Sequence, residues 1–180
     1  MIYSDRDIIE SEIKIEPFSM DNLQPSSYDV TLGNEFLIPE YYGPEIDAKL
    51  IYNKTITDEI YIKNKEFMLA TTVETIHLPD YISGFVEGRS SIGRRGLFIQ
   101  NAGWIDSGFK GQITLELYNA TDKPILLVAG KRIAQIVFCE QKSRSVMPYQ
   151  GKYQGQSGVV GSRMYQERGR TNEKYTRRFK

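Results

Sequence analysis

Residues 112–119 read QITLELYN, with Ile113, Leu115 and Leu117 on one parity and Thr114, Glu116 and Tyr118 on the other. A period of two is that of a strand, so the segment is expected to bury its Ile/Leu face and turn Glu116 away from that core. Short β-rich runs recur along the chain: SYDVTL before Gly33-Asn34, EFLI before Pro39, EIYIK before Asn64-Lys65, and EFMLATTVETI before Pro79-Asp80. The run ILLVAGKRIAQIVF reads as two more strands, broken at Ala129-Gly130. Strands at this spacing predict an all-β sandwich, jelly roll or barrel. A short amphipathic helix is expected in SDRDIIESEI, where Ser4 is the N-cap, Asp7 lies in the first turn, and Ile8 and Ile9 supply the apolar side.

Beyond Pro148 the periodicity fades into YQGKYQGQSGVVGSR, rich in Gly and Gln. The chain therefore divides into a β domain over 1–148, a mobile flap over 149–163, and a basic, disordered tail over 164–180.

The composition narrows the chemistry. Of 180 residues, 23 are Lys or Arg and 23 are Asp or Glu, so no global field draws a long nucleic acid, and an anionic ligand must be held locally. One histidine, His77, and one cysteine, Cys139, exclude the His/Cys clusters of a structural zinc site and the paired-cysteine signature of zinc deaminases. The charged start MIYSDRDIIE and the single cysteine predict a reducing, cytoplasmic setting, and no run is long and apolar enough to span a bilayer.

Two segments carry candidate chemistry. GRSSIGRR gathers Arg89, Ser90, Ser91, Arg94 and Arg95 between glycines, which suits a phosphate cradle of hydroxyls, N–H groups and guanidinium forks; it equally suits a solvated strand end. NAGWIDSGFKG holds Asp106 and Phe109 in a Gly-rich turn, where an aspartate commonly serves only the turn. Glu116 alone would be an ordinary strand glutamate.

Taken together and in order, the segments resemble the dCTP deaminase branch of the dUTPase-like superfamily. The resemblance rests on DRDI and LQPSSYDVTLGNEF near the start, then on LPDYISGFVEGRSSIGRRGL, AGWIDSGFKGQITLELYN and GKRIAQIVF, and finally on GKYQGQSGVVGSR. It implies a distorted jelly-roll β-barrel, a homotrimer with shared sites, and zinc-independent hydrolysis of a cytosine deoxynucleotide. Glu116, apolar in simple dUTPases, would be the general acid/base, with Ser90, Arg94 and the Ala102 carbonyl holding the water. Arg89 and Ser91 would join Ser90 on the phosphates. Asp106 would meet the deoxyribose 3'-OH, and Phe109 would exclude a 2'-OH. Tyr149, Lys152 and Gln156 would close on a triphosphate that brings its own Mg2+. The turn containing Gly103 and Trp104, in AGWID, resembles dUTPases and the bifunctional deaminases that release dUMP. The spacing between RSS and ID also matches dUTPases, so a dUTPase acting on dUTP stays open as an alternative, as do dCMP as a substrate and a non-catalytic binding trimer.

Overall fold

The structure is a computed structural model that describes residues 1–41, 45–99 and 103–167. In chain order its elements are α1 (Asp5–Glu10), β1 (Lys14–Glu16), a 3-10 turn (Met20–Asn22), β2 (Leu23–Gln24), β3 (Ser27–Tyr41), β4 (Ile51–Ile56), β5 (Glu59–Ile62) and β6 (Phe67–His77). They continue with β7 (Ile82–Gly88), α2 (Ser90–Gly93), β8 (Leu97–Ile99), β9 (Trp104–Ile105), β10 (Lys110–Asn119), β11 (Ile125–Val128), β12 (Arg132–Glu140) and a last 3-10 turn (Met164–Glu167). This is an all-β fold of the distorted jelly-roll kind. The main sheet runs β8-β10-β6-β3-β12-β7-β9, with β1, β2 and β4 attached at its side and β5 and β11 forming a separate ribbon.

Local chemistry explains the elements. Helix α1 begins where Ser4 and Asp7 form a reciprocal capping box. Strand β10 alternates from Gly111 to Asn119 between buried and half-buried positions, with Ile113, Leu115 and Leu117 in the core as their parity requires. The core is built on Tyr28, Leu32, Phe36, Met68, Leu115, Leu117, Ile136 and Phe138, each essentially inaccessible. Each such side chain contributes about 1.5–3 kcal/mol of burial.

One expectation fails. Gly33-Asn34 and Pro39 do not end strands; all three lie inside the fifteen-residue β3. Their turn chemistry serves irregularities in the ladder: the pairing of β3 with β6 shifts between Leu32 and Phe36, and its pairing with β4 shifts between Pro39 and Tyr41. Gly33 is also forced by packing, because a Cβ there would sit 2.6 Å from Thr71 Cγ2.

Polar groups inside the core are paired. Among the described residues every buried side-chain nitrogen or oxygen has a hydrogen-bond partner. Asn119 is the densest case. Its Nδ2 donates to the carbonyls of Ile62, Lys63 and Lys123, while its Oδ1 accepts from the Thr121 N–H and hydroxyl, tying the end of β10 to the β5/β11 ribbon. Glu74 is buried against the N–H and hydroxyl of Thr31, and burial raises its pKa above the ordinary carboxylate range.

The segment 149–163 is hydrogen-bonded to the body along its length. Tyr149 N donates to Ser107 O, Gln154 bridges Lys110 N and Gly108 O, and Gln112 N donates to Gln156 O. Of the tail expected over 164–180, the first four residues form the last 3-10 turn, and the remainder lies outside the described residues.

Candidate active site

The half-buried face of β10 opens into a cavity of about 380 Å³, and Thr114 and Glu116 line it. Leu69 of β6, which pairs with Glu116 across the ladder, lies beside them with Val86 of β7 and Ile99 of β8. The turn Gly103–Phe109 forms one wall. Tyr52 stands on another side, and Tyr149, Tyr153, Gln156 and Val160–Ser162 form the roof.

Seven of the residues singled out from sequence therefore line one cavity: Glu116, Asp106, Gly103, Trp104, Phe109, Tyr149 and Gln156. Burial lifts the Glu116 carboxyl pKa above its ordinary value, and desolvation is the sole cause. A carboxylate so perturbed, on a cavity wall, suits proton transfer in both directions. Asp106 accepts a hydrogen bond from Trp104 Nε1 at 2.9 Å, and the indole lies parallel to the Phe85 ring with centroids 6.2 Å apart. Phe109 is buried and tilted against Tyr149, with centroids 5.9 Å apart, so the turn and the roof share an aromatic contact. Gly103 cannot carry a side chain, since its Cβ would lie 2.8 Å from both Val86 Cβ and Val86 O.

The arginine-serine segment lies elsewhere. Arg89, Ser90, Ser91 and Arg94 do not line this cavity. Ser90, Ser91 and Arg94 sit on or just after the short α2 and are exposed. Arg89 Nε instead pairs with buried Asp29 at 3.1 Å, and Arg132 reaches the same carboxylate oxygen at 3.4 Å. Burial raises the Asp29 pKa, while Arg89 and Arg132 pull it down. Lys152 is engaged by Glu167 and lies over the Tyr153 ring rather than lining the cavity. Gln156 reaches the lining, but its Nε2 is held by the Gln112 carbonyl at 2.6 Å. Ala102 lies outside the described residues.

Sequence reasoning missed Tyr52, Thr114, Tyr153 and Val160–Ser162 as lining residues. Thr114 shares the parity of Glu116 two positions on, so the same alternation could have found it. Tyr52 carries no local signal, because only the pairing of β3 with β4 brings it near. Among the described residues no group of three or more His, Cys, Asp or Glu side chains could hold a metal ion, and no helix is long and apolar enough to cross a membrane.

An all-β jelly roll with a glutamate, an Asp-bearing turn and an aromatic plate around one cavity is the arrangement that the resemblance to dUTPase-like proteins implies. The family model for dCTP deaminase-like proteins matches residues 4–141, and the chain belongs to that family. It is 50% identical over 168 residues to the "dCTP deaminase, dUMP-forming" of a Sulfurihydrogenibium species, covering 89% of this chain and 93% of the relative. It is likewise 50% identical over 175 residues to the protein of that name from Aquifex aeolicus, covering 93% and 97%. Among solved structures, the 2'-deoxycytidine 5'-triphosphate deaminase of Agrobacterium tumefaciens shares the fold at a TM-score of 0.61 and 23% identity, over 76% of this chain and 47% of that one.

Proposed function

We propose that this protein hydrolyses dCTP first at the base and then at the α-phosphate, releasing ammonia, pyrophosphate and dUMP. The observation that carries the reading is the half-buried, desolvated carboxyl of Glu116 facing a cavity that also holds Asp106 and Phe109. The relatives named as dUMP-forming deaminases support it.

In the deamination, Glu116 takes a proton from water as the oxygen attacks C4. It passes that proton to N3, and a second proton goes from the added hydroxyl to the departing amine. Water enters, ammonia leaves, and the uracil carbonyl remains. Ser90, Arg94 and the Ala102 carbonyl hold the attacking water. Asp106 accepts the 3'-OH, and the Phe109 plate leaves no room for a 2'-OH. Arg89, Ser90 and Ser91 meet the phosphates, with Tyr149, Lys152 and Gln156 closing over them. Mg2+ arrives as part of the substrate, bound to the triphosphate, and spreads its charge.

Because the arginine-serine segment of one chain lies away from that chain's own cavity, the complete site joins Glu116 of one subunit to the segment of another. A homotrimer supplies that arrangement, with every site shared. Lys152 must leave Glu167 to reach a phosphate, and the anion competes for it directly.

Incubation with dCTP and Mg2+, followed by anion-exchange separation, tests the product. Stoichiometric dUMP, ammonia and pyrophosphate are expected. Accumulation of dUTP would limit the activity to deamination, and cleavage of dUTP with dCTP untouched would make the protein a dUTPase.

A further inference from the structure

The second half of the roof segment, Gly158-Val159-Val160-Gly161-Ser162, is held in an unusual way. Four of its main-chain N–H groups donate to side chains of the body instead of to a neighbouring strand's carbonyls. Gly158 N reaches Gln112 Oε1 at 2.6 Å, and Val159 N reaches Glu35 Oε2 at 3.1 Å. Val160 N reaches Thr114 Oγ1 at 3.2 Å, and Ser162 N reaches the Tyr52 hydroxyl at 3.0 Å. The acceptors come from β3, β4 and β10, so three strands grip one segment. Val159 anchors it from below, buried with Leu37 and Leu69.

Two glycines make the approach possible. At Gly158, whose φ is +68°, a Cβ would lie 2.3 Å from Glu35 Oε2, and at Gly161 one would lie 2.4 Å from Tyr52 Cε2. The acceptors are also fixed before the segment arrives. Lys54 Nζ lies 2.9 Å from Glu35 Oε2, and the Gln112 amide donates to Thr72 O at 2.8 Å, which turns its oxygen toward Gly158. The hydrogen-bonded Lys54 ammonium holds the Glu35 carboxyl below its ordinary pKa, so the latch carries a charge at neutral pH.

Thr114 and Tyr52 line the cavity themselves, but Glu35 does not. We propose that Glu35 is a positioning residue for the reaction: through the Val159 N–H it sets the path of Val160–Ser162, the part of the roof that closes the cavity bearing Glu116. The kinetic consequence rests on the dCTP reading; the latch itself does not. A charged acceptor makes the strongest bond of the four, so its loss weakens closure most.

The test uses the full-length protein, wild type and Glu35→Ala, with Glu35→Gln as the conservative variant. Amide exchange at Val159, measured without nucleotide, should speed up about ten- to hundredfold in Glu35→Ala, the equivalent of one charge-assisted hydrogen bond. Exchange in β6 and β10 should hold, as should the thermal midpoint. In the same variant kcat/KM for dCTP should fall by a similar factor, and Glu35→Gln, whose amide oxygen still accepts from Val159, should recover most of it. Gly158→Ala, which drives a Cβ into the carboxylate from the other side, should reproduce the loss if Glu35→Ala does not fold. Unchanged Val159 exchange would overturn the latch. Faster exchange with wild-type kinetics would overturn the positioning role, as would protection lost throughout the body. A wild-type protein inert toward dCTP, with Val159 still released in the variant, would instead overturn the dCTP reading and keep the latch.

Discussion

Glu116→Gln replaces one carboxylate oxygen of the cavity with an amide nitrogen at constant volume, and the structure gives it two effects of opposite sign. The first is kinetic. If Glu116 takes and returns the protons as proposed, its loss costs about 10²–10⁴ in rate, or about 3–5.5 kcal/mol of barrier. The second is on stability. Burial raises the folded-state pKa of Glu116, so ionising it in the folded protein is a penalty. That penalty is absent below the ordinary glutamate value of about 4.3, grows as pH rises through the raised pKa, and is constant above it. Gln carries no such penalty. At pH 7 the variant should therefore be as stable as the wild type or more so. With Glu116 as the proposed base, the acid limb of wild-type kcat/KM is expected above the ordinary glutamate value of about 4.3, with activity lost as pH falls through it. Ammonia release and thermal unfolding, followed on the same preparations, check both effects. Near-normal ammonia release would remove Glu116 from the chemistry, and a variant unfolding several degrees early would show that the lost activity reports damage.

Two further outcomes are expected. Glu116→Gln and Arg94→Ala protomers, each inactive alone, should regain about a quarter of wild-type activity when refolded together at equal amounts, because a shared site is whole when a Glu116-bearing chain meets an Arg94-bearing neighbour; no recovery would place both residues in one subunit's site. Asn119→Ala should lower stability by about 2–4 kcal/mol, since it strips partners from three carbonyls and from Thr121, and a thermal midpoint unchanged within a degree would contradict that account.

What was legible in the sequence was legible because it was local. The alternation of QITLELYN set the faces of β10 and hence the outlook of Glu116, and Ser4 with Asp7 marked the start of α1. Gly33, Asn34 and Pro39 misled because the same residues that end strands also serve ladder shifts within them, and only the partner strands decide between the two roles. The site followed the same rule. Asp106, Trp104 and Phe109 share one turn and were found together. The grip on the roof was invisible, because Glu35 and Tyr52 meet Val159 and Ser162 across more than a hundred positions of chain. That the arginine-serine segment lies away from its own chain's cavity likewise has no local signature.

Strand β3 has a consequence for how the molecule is made. It pairs with β2, β4, β6 and β12, and its partners in β12 lie roughly 100 residues further along, a separation that makes folding a matter of milliseconds to seconds rather than microseconds. During synthesis β3 must therefore wait for nearly the whole body to emerge before its last neighbour arrives. In that interval Tyr28, Val30, Leu32 and Phe36, all inaccessible in the finished fold, stand uncovered beside an unpaired strand edge. The strand that organises the finished sheet is thus also where the nascent chain is most exposed to misassociation.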